Sequence, residues 1–357
     1  MKPLRFAVNA PLRVAVIGAG FWARYQLSGW REAARLPHGT AADAQCVAVC
    51  NRTRSRAEEL AREFGIPAVY TDPEEMLRGT SPDVVDVISA PDAHEEHVVL
   101  AASRGIPVIC QKPMAPTLAA AERMVNACRI GGVPFFVHEN WRWQAPIRAL
   151  KRALDDGGIG KPFRGRINMI SGYPVFRNQP FFKTLDRFLL TDQGSHQLDV
   201  ARFLFGEAQS VYCHTGRVHP DIRGEDVATV VLRMQSGSTV VVCMGFAENF
   251  LERDRHPETY IFVEGDKGSA ELGPDYWVRV TTESGTRSIR HPPPRYGWVD
   301  PEYEVTQSSI VPCIQDLVRG LRGEAAAETT GEDNLRTVRL VAAAYESADT
   351  GRAVRIT

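Results

Sequence analysis

The chain has 357 residues, of which 44% are hydrophobic and 24% charged. That composition excludes a disordered or fibrous protein, and at about 150 residues per domain the length points to two domains. Lys and Arg number 42 against 43 Asp and Glu, a formal net charge of −1, so wholesale electrostatic binding of nucleic acid is excluded as well.

The first third alternates strand and helix patterns. Leu12–Ile17 is a Val/Ile-rich run that reads as a buried parallel strand, and Cys46–Cys50, Val84–Ser89, Pro107–Cys110 and Pro134–His138 read as further strands. Arg54–Phe64, Ala93–Arg104 and Leu118–Ile130 carry helical patterns, each followed by a glycine at 65, 105 or 131. This rhythm predicts an α/β domain over residues 1–138, a doubly wound parallel sheet with helices on both faces. The pattern then changes. Arg164–Ser171, Ser210–Arg217, Asp226–Met234, Thr239–Phe246, Thr259–Glu264 and Tyr276–Thr282 read as strands of a mostly antiparallel, open sheet. Helices are expected at Ala145–Asp155, Gly194–Leu204, Val311–Leu321 and Asn334–Ala348. Residues 139–357 thus form a second α/β domain, expected to bind substrate and to oligomerise, with the C-terminal helix packing back on the first.

Val14–Ala23 reads strand, tight turn, helix, with the spacing G-x-G-x-x-A at Gly18, Gly20 and Ala23. Gly18 permits the turn, Gly20 lets a pyrophosphate approach the backbone, and Ala23 keeps the helix close to the strand. The helix start offers free N–H groups to the phosphates, with Phe21 and Trp22 beside them. The second strand ends in Asn51-Arg52, where NAD-binding versions usually put an acid on the ribose. A guanidinium there suits a 2′-phosphate, so NADP is slightly favoured over NAD. Asp43 has about the right spacing for the acid but precedes the strand and is set aside.

Further motifs run in order along nearly the whole chain: GAGFWA at 18–23, AEELAREFG at 57–65, PDAHEEH at 91–97, QKPMA at 111–115, HENWRW at 138–143, DQGSHQLDVARFLFG at 192–206 and ESADTGRAV at 346–354. This order resembles the glucose–fructose oxidoreductase / inositol dehydrogenase (Gfo/Idh/MocA) family of NAD(P)-dependent sugar dehydrogenases. The resemblance implies a Rossmann domain followed by an α/β domain with a large open sheet. It implies hydride transfer between NAD(P) and a CH–OH group of a sugar, sugar acid or cyclitol. It also implies that Lys112 reaches both the nicotinamide ribose and the substrate hydroxyl. The family usually has Glu-Lys-Pro there; Gln111 departs from it and takes a negative charge away from the lysine. Asp192 and His196 match the family's second catalytic pair. Four residues apart on a helix, they share one face, where a carboxylate fixes the tautomer of an imidazole that can take a hydroxyl proton. The plainer alternative is a helix cap and a core histidine.

Other residues are weaker candidates. His94 starts a helix where the family's cofactor lies. His94 and His97 lack a third ligand motif, so no metal is expected. Trp141, Arg142 and Trp143 suit a sugar face and a carboxylate, or packing at a hinge. Tyr173–Arg187, with Phe181, Phe182, Lys183 and Arg187, is expected to form a substrate-facing loop. Asp199 reads as structural, and Glu225-Asp226 as a turn. Strands 226–234 and 239–246 are apolar on both faces, which predicts a homodimer or homotetramer. Seven cysteines without a CxxC pair fit reduced thiols. No secretory h-region and no membrane-length apolar run is visible, so a cytoplasmic enzyme acting on a small carbohydrate is expected. Two alternatives stand beside it. One is an NAD(P)-bound enzyme of another net reaction, a glycosidase or an internally recycling oxidoreductase. The other is a ligand-sensing regulator on the same fold.

Overall fold

A computed structural model describes residues 10–34, 44–247 and 259–356. The chain forms two compact units: one holds the chain up to Glu139 together with Ile310–Arg336, the other Asn140–Ser309 together with Thr337–Thr357. The stretch that rejoins the first unit is thus the helix before the last and the first residues of the last helix. Asp43 lies outside the described residues.

The first unit runs β1 (Leu12–Ile17), α1 (Ala23–Ala33), β2 (Ala44–Cys50), α2 (Arg54–Phe64), β3 (Ala68–Tyr70), α3 (Pro73–Thr80), β4 (Val84–Val87), α4 (His94–Ser103), β5 (Val108–Gln111), α5 (Leu118–Gly131) and β6 (Phe135–His138). The strands form one parallel sheet in the order β3-β2-β1-β4-β5-β6. Val14, Ala15, Val16, Val84, Val85, Val108 and Ile109 are all fully buried, as a sheet covered on both faces requires. The strand order reverses between β1 and β4, and that crevice is where open α/β sheets bind ligands. β3 and α3 escape the sequence reading because one is three half-buried residues and the other a single short helix opened by the Asp72 cap.

The second unit contains α6 (Ala145–Asp155), β7 (Pro162–Ile170), α7 (Val175–Asn178), α8 (Leu189–Phe205), β8 (Ala208–Gly216), β9 (Val227–Met234), β10 (Thr239–Gly245), β11 (Thr259–Gly265), β12 (Gly268–Gly273), β13 (Trp277–Thr282), β14 (Gly285–Arg290) and α9 (Glu304–Ser308). Then follow α10 (Ile310–Arg322), α11 (Gly331–Thr350) and β15 (Val354–Arg355). Nine strands make one sheet in the order β14-β13-β12-β11-β7-β10-β9-β8-β15. Only β7 and β10 pair in parallel; their other neighbours are antiparallel. Burial alternates along β9, where Ala228, Val230, Leu232 and Met234 are buried and the residues between them are not. That is the period of a sheet with one face on the core. α6 and α8 cover this face. In the first unit α10 packs on α1, where a Cβ on Gly29 would lie 2.3 Å from the Ile310 side chain. No helix among the described residues is long and apolar enough to cross a membrane.

Candidate active site

Gly18 follows β1 with φ of +117°, and a Cβ there would stand 2.6 Å from the backbone of Ile88 and Ser89. Only glycine fits that approach. The turn is tied down by Gly18 N donating to the Cys50 carbonyl at 2.8 Å and Ala19 N donating to Asn51 Oδ1 at 3.1 Å. Asn51 therefore serves the turn itself, its Nδ2 donating to the Thr53 carbonyl at 3.0 Å. A Cβ on Gly20 would meet nothing within 4 Å, so the turn is open on that side. Ala23 is buried, and the first turn of α1 holds no acidic residue to compete with a phosphate. Phe21 is 66% exposed and packs edge-on against Tyr25, as Trp22 does at a tilt. These residues fit a dinucleotide pyrophosphate. Beside them Arg52 is exposed and makes no ion pair or hydrogen bond among the described residues, whereas Arg54 pairs with Glu58 at 2.8 Å.

Lys112 follows β5 and is half-buried. Its backbone N–H donates to Gln111 Oε1 at 2.8 Å. His94 is fully buried, with Nδ1 3.2 Å from the carbonyl oxygens of Pro113 and Met114 and Nε2 3.0 Å from that of Ser89. Burial lowers its pKa, opposed by those carbonyls. His94 thus lies between the Pro113–Met114 carbonyls and the end of β4, and the one N–H of its neutral ring donates to one side or the other.

In the second unit α8 carries Asp192 and His196 one turn apart, as the spacing predicts, although it begins at Leu189 rather than near 194. Its start is held from outside. Glu225 accepts from Phe188 N at 3.3 Å and Leu190 N at 3.0 Å, and Tyr345 Oη accepts from Thr191 N at 3.2 Å while donating to Glu225 Oε1 at 2.7 Å. A carboxylate at a helix N-terminus satisfies its free N–H groups and complements its dipole. Burial, and then the Glu225 charge, push the Tyr345 phenol far up. Glu225 is thus an anchor, not merely a turn. Asp226 accepts from Val218 N, His219 N and His219 Nδ1.

Trp141 is 1% exposed and stacks on His196, ring centres 4.5 Å apart and planes within 10°. Its indole stacks on the imidazole and orients it. Arg142 is buried and donates from Nε and Nη2 to the two oxygens of Asp199, at 2.8 and 2.5 Å, a bidentate charge-assisted pair. Of the predicted loop, Phe182 is buried 4.5 Å from Phe188 and Phe181 is exposed. Lys183 pairs with Asp221 at 2.5 Å, and Arg187 with Asp349 at 2.9 Å over the Tyr345 ring. Arg187 is thus paired at the surface just before α8. Sequence reasoning missed Asp86, which is buried in β4. Its signal was visible as the one charge inside the apolar run 84–89.

Residues 12–139 match the family described as "Oxidoreductase family, NAD-binding Rossmann fold", and residues 147–271 match the "GFO/IDH/MocA C-terminal domain". The chain belongs to the GFO/IDH/MocA oxidoreductase family. A D-apiose dehydrogenase of Paraburkholderia graminis is 40% identical over 342 residues, covering 96% of this chain and 89% of that one. A D-apiose dehydrogenase of Rhizobium rhizogenes is 37% identical and covers 97% of each. A crystal structure of an oxidoreductase from Agrobacterium radiobacter, in complex with NAD+, L-tartaric acid and magnesium, superposes with a TM-score of 0.92 at 37% identity, covering 97% of this chain and 99% of that one. As a GFO/IDH/MocA member the chain is an NAD-dependent dehydrogenase of sugar-type CH–OH groups.

Proposed function

We propose that this GFO/IDH/MocA protein oxidises a small aldose of the D-apiose type, with Lys112, Asp192 and His196 as its catalytic residues. The observation that carries the catalytic part is the His196 imidazole, stacked by Trp141 and placed one turn after Asp192 on an anchored helix. The substrate class rests on the D-apiose dehydrogenases that match this chain over nearly its full length.

When bound, the dinucleotide supplies the hydride acceptor. His196 takes the hydroxyl proton, its tautomer set by Asp192, and Lys112 donates a hydrogen bond to the same oxygen as it gains charge. The first turn of α1 and the open side of Gly20 hold the pyrophosphate. Arg52, exposed just after β2, would meet a 2′-phosphate on the adenosine ribose, so NADP is accepted beside NAD. Phe181, exposed in the loop before α8, contributes apolar surface to the substrate side. The working enzyme is a homodimer or homotetramer in the cytoplasm. An odd number of cysteines without a CxxC pair supports the reducing compartment. The test is the rise of nicotinamide absorbance with D-apiose, other pentoses and myo-inositol, each with NAD and NADP. A preference for D-apiose supports the substrate assignment, and turnover of inositol alone refutes it.

A further inference from the structure

We propose that Asp86 is a positioning residue for Lys112, acting through a one-way chain of side-chain amides formed by Gln26 and Gln111. This deepens the reading of Lys112 as the group that holds the substrate oxygen and rests on it.

The chain is continuous. Lys112 N–H donates to Gln111 Oε1 at 2.8 Å, Gln111 Nε2 donates to Gln26 Oε1 at 3.2 Å, and Gln26 Nε2 donates to Asp86 Oδ2 at 3.0 Å. All three side chains are buried. Each amide accepts on oxygen and donates from nitrogen, so the dipoles run head to tail and end on a group that only accepts. The two ends fix this direction, since the Lys112 backbone N–H can only donate and the Asp86 carboxylate can only accept, and two side contacts agree with it. Trp30 Nε1, a donor only, also points at Asp86 Oδ2, at 2.6 Å, and His138 Nδ1 lies 3.2 Å from Gln111 Nε2. Turning Gln26 over would set its oxygen against the Asp86 carboxylate and its NH2 against the NH2 of Gln111. The acid at 86 therefore dictates which atom of Gln111 meets the N–H of Lys112, and with it the course of the backbone into that lysine.

Asp86 is met by these two donors and by no cation among the described residues. The other titratable groups that feel it are the thiols of half-buried Cys46 and buried Cys110. An acid in the middle of a core strand costs stability that an apolar residue would not. Held at the far end of the chain, it has a use.

Because it has a direction, the chain accommodates one carboxylate. A glutamate at 111 would accept from Lys112 N–H and require Gln26 to donate to it, turning the Gln26 oxygen toward residue 86. An asparagine at 86 can donate to that oxygen; an ionised aspartate cannot. The test is the set Asp86→Asn, Gln111→Glu and the double variant, measured for melting temperature, NAD binding and kcat on the sugar. With Asp86 in place, Gln111→Glu should lower kcat about tenfold and the melting temperature by several degrees, with NAD binding retained. In the Asp86→Asn background the same substitution should cost much less, bringing kcat back toward wild type. A Gln111→Glu protein that folds only when combined with Asp86→Asn is the same result in stronger form. Equal losses in both backgrounds, or failure of both to fold, would overturn the chain. The melting-temperature arm needs no substrate, so it judges the chain even where no sugar is turned over and the catalytic reading fails.

Discussion

At Asp86 burial pushes the carboxyl up to about 6, against hydrogen bonds from Trp30 and Gln26 that pull it down. The unfolded chain releases this proton at the lower pH usual for an aspartate. Between the two the folded state holds the extra proton, so stability is gained as pH falls from about 7 toward about 4 and lost as pH rises through 6. Asp86→Asn cannot titrate, and the gain should vanish in it. Urea denaturation at pH 7 and pH 5 measures this: the stability of wild type relative to the variant must rise at the lower pH. A difference that stays flat would show that Asp86 does not titrate in this range. Arg52 supports a second prediction. One charge-assisted contact to a 2′-phosphate corresponds to about ten- to a hundredfold in affinity, so Arg52→Ala should raise KM for NADP by that order and leave KM for NAD unchanged. Parallel shifts in both would remove Arg52 from the ribose.

The decisive element of the second unit is α8, because its seventeen residues set Asp192 and His196 on one face. Its first turn depends on Glu225 and Tyr345. Glu225→Ala would leave two backbone N–H groups and a buried phenol without their acceptor, a cost of about 3 kcal/mol or more. Its kcat should fall while NAD binding, which belongs to the other unit, stays. A variant that loses stability but keeps full kcat would show that the anchor does not govern the proposed pair Asp192/His196. Much of this was legible. The G-x-G-x-x-A turn, the alternation of strand and helix, and the pair Asp192/His196 are all local patterns. What was not legible depends on distant residues. The start of α8 at Leu189 is set by Glu225, on another strand's threshold, and Phe188-Leu189-Leu190 carries no cap signal of its own. β14 was missed because GTRSIR is exposed throughout and reads as loop. The partner of Arg142, Asp199, is fifty-seven residues away, and those of His94 are backbone carbonyls that sequence does not display.

For the whole molecule, the open face of the nine-stranded sheet bears on assembly. Val231, Val241, Cys243, Tyr260 and Phe262 lie there half-buried, opposite the face covered by α6 and α8. These apolar side chains flank Arg166 and Asn168 of β7 on the same face, and a second copy stacking sheet on sheet would cover them. Light scattering at micromolar concentration should give a dimer or tetramer, and Phe262→Asp should dissociate it; a monomeric wild type would contradict this. The proposed joint action of Lys112 and His196 on one substrate hydroxyl is tested most directly by steady-state oxidation of D-apiose with NAD by wild type, Lys112→Met and His196→Ala, with NAD binding measured alongside. Each variant should lose about a hundred- to ten-thousandfold in kcat while binding NAD as the wild type does. Near wild-type kcat in both variants, on the substrate the wild type turns over, would contradict the account.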